Sequence, residues 1–477
     1  MQVPAFRQED RPIKLQRYDF AAKHRRYVPQ SRKNVYFRFG LLLVFLAAVL
    51  GAKKMTVLWM GRGETPDTTA VSPVDPGPDP SPNPGSGPAQ SKQVSKSGVF
   101  GDLQAPFRNY PAPDTFAFGD KFLVARYTQD SLLSARTEIY LRRYRPETAV
   151  ILVADLKTGR MLAVGERQDT LVTQGPRLAF AGGFPAASLI KILTAAAALE
   201  LGGKEVTDSI PQAGSYHTLY RRQLRADRPG GQSKITLQEA FAKSVNPAFG
   251  LLGMALGADA LRKYAGRMGF NGTSKATCVV PSRIEFPDTG FSLAEAACGF
   301  TDKTTISPWH ALEIARAAGD DGRLRACTFV ETVQDGKTGA LMPIRNEGGN
   351  AFVSPANLPK LQSLMEGTVR NGTARKGFHR ILQARHVEKL ILGGKTGSLD
   401  GMGPASADGE ESKGRYDWFI GYATLKDEPD RGLAICVMLV HKTYRSLPSS
   451  QMAALLIKDW LTAQEKARKT KAALGAT

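Results

Sequence analysis

Residues 184–200, FPAASLIKILTAAAALE, are the stretch around which the chain is organised. Alanine and leucine are strong helix formers, no proline follows Pro185, and Gly202-Gly203 supplies a stop, so the run reads as a helix. Ser188 stands in its first turn, at the positive end of the helix dipole. Lys191 follows at i+3, on the same face. If that face is dry, the amine can lose its proton and activate the serine hydroxyl. Taken alone, such a pair reads first as an N-cap serine beside a solvated lysine. What decides is whether the rest of the chain supplies the other parts of a serine acyl-transfer site.

The 477 residues suffice for two to three average domains or one large α/β domain with appended segments. The net charge of +20 is spread along the chain, with local excess at both ends. Zinc-finger spacing, an RNP motif and a basic heptad region are all missing from the sequence, so nucleic acid is not an expected partner; attraction to anionic surfaces is. The four cysteines, Cys278, Cys298, Cys327 and Cys436, form no CxxC pair, which leaves a Cys278–Cys298 bridge or buried free thiols.

Residues 1–38 are strongly basic and run into an apolar segment, FGLLLVFLAAVLGA, in the positive-inside pattern. The uninterrupted run is short of the roughly 20 residues a span needs, and a signal-peptide core is the competing reading. Lys53-Lys54 can snorkel while MTVLWM extends the apolar length, which favours an uncleaved anchor over 39–60 with its N-terminus inside. Residues 61–97 are rich in Pro, Gly, Ser and Asp and read as an extended stalk.

A small region, 98–127, precedes a domain expected over 128–464 and a basic tail over 465–477. Within the domain, a helix over 131–142 leads to a hairpin of two apolar runs, 149–156 and 161–164, turning at Lys157-Thr158-Gly159. Thr236 to Glu239 form a capping box for a helix through about Lys243, and Pro247 opens the next helix, so Ser244 and Asn246 sit on a short connection facing the same way. Helices follow over 259–268, 307–318 and 358–369. Strands are expected over 389–397, 416–425 and 432–440, with a polar loop over 399–414, and a last helix over 450–461. Strands from both ends with helices between them imply one α/β domain.

Three Lys-Thr-Gly sequences and two Ser-x-Asn sequences occur, so most are decoys. Those at 157–159 and 337–339 sit at turns where glycine is wanted for its backbone. Ser81-Pro82-Asn83 lies in the stalk. Lys395-Thr396-Gly397 instead ends an apolar run, follows Gly393-Gly394 and continues into Ser398, and glycines along a strand permit close approach by a ligand. Ser188 to Lys191 is the only Ser-x-x-Lys.

In chain order, Ser188-Leu189-Ile190-Lys191, Ser244-Val245-Asn246 and Lys395-Thr396-Gly397-Ser398 resemble the three-motif signature of penicillin-binding proteins and serine β-lactamases. The hairpin VILVADLKTGRMLAVGE, the helix ISPWHALEIARAA, Gly372-Thr373-Ala374 and the strand YDWFIGYA resemble transpeptidase segments in matching order. The resemblance implies an antiparallel sheet flanked by helices, with a single-pass anchor in the bacterial cytoplasmic membrane and the catalytic domain on its outer side. It implies that Ser188 attacks a D-Ala-D-Ala stem peptide to form an acyl-enzyme, with Lys191 as base, Ser244 as proton relay and Asn246 holding the substrate amide. Lys395 adds positive potential, Thr396 and Ser398 bind the terminal carboxylate at the strand that Gly397 keeps open, and the Ser188 and Ser398 N–H groups form the oxyanion hole. No metal or organic cofactor is needed. β-Lactams are the expected covalent ligands.

Gly299-Phe300-Thr301 departs from the family's usual Gly-Gln-Gly. No space for a glycosyltransferase module is seen, so polymerised glycan is expected from a partner enzyme. D,D-carboxypeptidase and β-lactamase are the enzymatic alternatives; an inactive scaffold or a β-lactam sensor is the alternative of another class. A histidine-based triad is the weaker account of Ser188. His217 and His310 read as surface or core residues, while His441 directly follows a strand near the site. Trp418 and Phe419 read as packing residues of their strand.

Overall fold

The computed structural model of the chain describes residues 16–17, 115–118, 121–168, 178–225, 232–272, 279–343, 348–404 and 412–474, all within one compact unit. The expected apolar anchor and stalk lie outside the described residues, as does the basic segment 1–38 apart from 16–17. Among the described residues no helix is long and apolar enough to cross a membrane.

Alternation of side chains gives the domain two cores, one on each face of a central sheet. Strand β3 (Thr148–Asp155) sends Val150, Leu152 and Ala154 into one core and Ala149, Ile151 and Val153 into the other. The main strands are numbered β1 (Thr115–Phe118), β2 (Lys121–Tyr127), β3, β4 (Met161–Gln168), β5 (Val330–Asp335), β6 (Leu341–Pro343), β7 (Leu390–Gly403), β8 (Ser412–Leu425) and β9 (Gly432–His441). The central sheet runs β7-β8-β9-β3-β4, antiparallel throughout, so early and late strands meet where Leu152 pairs with Cys436. Both faces are covered, which is why β3 and β9 are apolar without a break.

The principal helices are α1 (Ser131–Tyr144), α2 (Lys191–Glu200), α3 (Leu237–Ala242), α4 (Asn246–Leu256), α5 (Ala258–Arg267), α6 (Gly290–Cys298), α7 (Pro308–Gly319), α8 (Leu358–Arg370), α9 (Arg375–Ile381) and α10 (Ser449–Leu474). Residues of α2, α4, α6 and α7 fill the core on one face of the sheet; α1, α9 and α10 close the other. Thr236 caps α3 as the sequence predicts, accepting from the Glu239 N–H; Asp130 accepts likewise from Leu133 at the start of α1, and Ser307 from His310 at the start of α7.

Three expectations change. Of the polar loop expected over 399–414, residues 399–403 and 412–414 are strand and 405–411 lie outside the described residues; β7 and β8 stay in register from Leu390↔Leu425 to Gly403↔Ser412, with Arg415 bonded to Asp400 at 2.9 Å and Gly401 against Pro185. The basic tail expected over 465–477 continues α10 through Leu474, tied to the strand ends by Arg468 with Asp427 and Glu428 and by Lys389 with Glu465. Residues 115–127 of the expected small region are not separate: β1 and β2 join β5 and β6 in a four-stranded sheet, with Ala125 opposite Val333. Cys298 and Cys436 are buried free thiols, Cys327 is buried as well, and Cys278 lies outside the described residues.

Candidate active site

The helix expected from Ser188 opens with a single 3-10 turn, Ala187–Ile190, and becomes α-helical only at Lys191. That turn is wedged from several sides. Ala187 holds a left-handed φ of 50°, and Gly299 lies so close that a β-carbon there would come within 1.9 Å of the Ala187 carbonyl oxygen. Pro185 accepts a hydrogen bond from the buried Trp418 indole at 3.0 Å, and the Ala186 N–H donates to Thr304. The Ser188 side chain is left half-buried at the cleft.

Lys191 is fully buried, and its ammonium donates to Ser188 Oγ at 2.8 Å, Asn246 Oδ1 at 2.7 Å and the Cys298 carbonyl at 2.7 Å. Desolvation pulls it from the ordinary lysine range down to about 8. The Cys298 thiol, pushed up to about 11 by burial, is protonated at neutral pH and supplies no anion to oppose that shift. A lysine so placed is neutral in about a tenth of molecules at pH 7, and its lone pair then points at a serine hydroxyl.

Ser244 lies in the turn between α3 and α4, and Asn246 is the first residue of α4. Ser244 has φ 55°, its N–H bonds Phe241 and the next N–H bonds Ala240, so a serine takes the left-handed position that glycine usually fills after a helix. This aims Ser244 Oγ at the Lys395 ammonium, 2.9 Å away. Asn246 is anchored by its own N–H to the Tyr216 carbonyl at 2.7 Å. Lys395, also fully buried, donates to Ser244 and to the Thr396 carbonyl, and burial together with the Lys191 charge holds it well below the lysine range.

Strand β7 is the edge of the central sheet, and it brings Lys395, Thr396, Gly397 and Ser398 past the nucleophile turn. Gly397 faces the turn, where a β-carbon would meet the Ala186 oxygen at 3.3 Å and the Ala187 Cβ at 3.4 Å. Ser398 is exposed. All eight sequence-predicted site residues therefore lie on the three segments that converge here. A buried lysine bonded to a half-buried serine hydroxyl, with a second buried lysine bonded to Ser244 beside them, suits acyl transfer from an anionic carbonyl donor.

Comparison with known proteins agrees with this geometry. The model of the penicillin binding protein transpeptidase domain matches residues 149–458. The chain belongs to this family. Among relatives of this penicillin-binding-protein family, the peptidoglycan D,D-transpeptidase PbpA of Mycolicibacterium smegmatis is 26% identical over 262 residues, 53% of this chain and 50% of that protein. PbpA of Mycobacterium tuberculosis is 29% identical over 193 residues, 39% of this chain and 38% of that one. The chain thus spans half or less of the length of these relatives. Solved structures share the fold: the penicillin G acyl-enzyme of M. tuberculosis penicillin-binding protein A superposes with a TM-score of 0.54 at 21% identity, covering 71% of this chain and 80% of that one. Penicillin-binding protein 3 of the same organism gives 0.56 at 16%, covering 74% and 83%.

The histidine placements bear on the sequence reading one by one. His441 is buried on the far face of the sheet, 3.6 Å from Asp417. His310 is a core residue between Ser282 and the Met268 carbonyl, lowered to about 4 by burial. His217 is the histidine at the site: it lies against the Ser244 carbonyl, and burial with the Lys191 and Lys395 charges holds it below the usual range. Trp418 packs as expected but also ties β8 to the nucleophile turn, and Thr373 reaches Thr396. Neither contact has a signature in spacing, since each joins segments far apart in the chain.

Proposed function

We propose that this protein is a peptidoglycan D,D-transpeptidase that works through a Ser188 acyl-enzyme and is acylated by penicillin. The observation that carries the reading is the fully buried Lys191 ammonium at 2.8 Å from Ser188 Oγ. In the neutral form Lys191 takes the Ser188 proton as Oγ attacks the penultimate D-alanine carbonyl of a stem peptide. The tetrahedral oxyanion is held by the Ser188 and Ser398 N–H groups, a kind of contact worth about 10²–10³ in rate per donor. Ser244, bonded to Lys395, passes a proton to the departing D-alanine amine. An amine of a second stem peptide then takes the acyl group and releases Ser188. Lys395, Thr396 and Ser398 receive the terminal carboxylate.

The basic segment and apolar run at the N-terminus support a single-pass anchor in the bacterial cytoplasmic membrane, with the catalytic domain outside and a glycosyltransferase partner supplying glycan. The test is incubation of the protein with labelled penicillin beside Ser188→Ala. A stable adduct that needs Ser188 is expected. An unlabelled wild type would overturn the reading, and rapid turnover of the adduct would mark a β-lactamase. Stem pentapeptide with an amine acceptor then separates crosslinking from trimming.

A further inference from the structure

One hydroxyl reaches the cleft from outside the three motifs. Thr373 follows α8, and its backbone N–H donates to the Ala242 carbonyl at 3.0 Å, at the end of the helix that leads into Ser244. The approach is close: a β-carbon on the preceding Gly372 would come within 2.2 Å of that same oxygen. On its other side, Thr373 Oγ1 lies 2.5 Å from Thr396 Oγ1 on β7. Thr373 therefore touches both walls of the site, the Ser244 turn through its backbone and the Lys395 strand through its side chain.

Proton counting gives this contact a direction. Each hydroxyl carries one proton, so in a bonded pair one proton is used between the two oxygens and one is free to point elsewhere. The Thr373–Thr396 contact is open to solvent, and the Lys395 ammonium donates to the Thr396 carbonyl. An anion entering here favours the arrangement in which Thr373 donates to Thr396 and Thr396 donates outward. We propose that Thr373 is a specificity-determining residue for acyl donors that end in a free carboxylate, acting by committing the Thr396 proton to that carboxylate. This rests on the acyl-transfer reading above.

The test compares a stem peptide ending in D-Ala-D-Ala acid with the same peptide ending in D-alaninamide, in wild type, Thr373→Val and Thr373→Ser. Valine keeps the shape and removes the hydroxyl; serine restores it. The expected result is a fall of about tenfold in kcat/KM for the acid in Thr373→Val, carried mainly by KM, with the amide unchanged and Thr373→Ser near wild type. An equal loss on acid and amide, or a serine variant that fails to recover, would make Thr373 a packing residue and overturn the proposal. A wild type that no donor acylates would overturn both this and the acyl-transfer reading, whereas an active wild type whose acid-to-amide ratio is unmoved by valine would overturn this one alone.

Discussion

The tripeptide Lys-Thr-Gly occurs three times, and its copies adopt two structures. At 157–159 and 337–339 it closes a hairpin. In the first, Asp155 Oδ1 accepts from the Thr158 N–H at 2.8 Å and the Asp155 carbonyl from Gly159 at 3.0 Å; in the second, Asp335 does the same for Thr338 at 3.0 Å and Gly339 at 2.8 Å. Both glycines are left-handed, with φ 72° and 70°, and both lysines are exposed. At 395–397 the same residues are strand, the lysine is fully buried and the glycine lies against the nucleophile turn. The lysine chemistry diverges accordingly. The bond to Asp320 raises Lys157, while burial lowers Lys395. The deciding difference lies upstream: an Asp two residues before the lysine makes a turn, and Gly393-Gly394 after an apolar run makes an edge strand.

That contrast can be broken most directly by removing each lysine. Lys395→Ala should slow Ser188 acylation by about 10²–10³, while Lys157→Ala and Lys337→Ala should stay within about twofold of wild type on exposure grounds; an equal loss at either turn, read by labelled penicillin, would collapse the distinction. The pH profile is the next largest effect. Lys191 must be neutral to accept the proton, so acylation should rise about tenfold per pH unit below 8 and level off above about 8. The same limb should persist in Lys157→Ala, and a flat profile would remove Lys191 as base. The glycines should give the smallest and most selective contrast. Gly397→Ala, where the neighbours must give by a few tenths of an ångström, should cost about tenfold in acylation with little change in Tm. Gly159→Ala, at φ 72° with the Arg316 guanidinium 2.8 Å from the new atom, should cost about 1–2 kcal/mol of stability by denaturant unfolding and leave acylation per folded molecule unchanged.

Much of the site was legible because its chemistry depends on residue types at short fixed spacings. Ser188 with Lys191, Ser244 with Asn246 and Lys395 with Ser398 are each local, and the unbroken apolar runs of β3 and β9 announced the sheet. What the spacing could not carry was whatever joins distant segments. The extension of β7 and β8 through polar residues depends on Arg415 meeting Asp400 and on Gly401 finding Pro185. The left-handed Ser244 runs against its own preference and is held by the Phe241 and Ala240 carbonyls. The Trp418–Pro185 and Thr373–Thr396 contacts exist only after folding. His217 is exposed, and only the fold brings it beside the Ser244 turn.

The pairing of Leu152 with Cys436 also governs the order of events in synthesis. Strand β3 leaves the ribosome well before the strand that completes its ladder, β9, which follows only after the intervening helices and β7 and β8, and the Lys395 strand reaches β3 only through β8 and β9. The nucleophile turn can form locally, but its opposite wall cannot be seated until β7, β8 and β9 have all been made. Contacts of such long sequence separation fold slowly and leave apolar edges open meanwhile. A nascent chain lacking β9 would expose the unpaired, wholly apolar edge of β3, a natural site for a holding chaperone and a natural point of failure for truncated products.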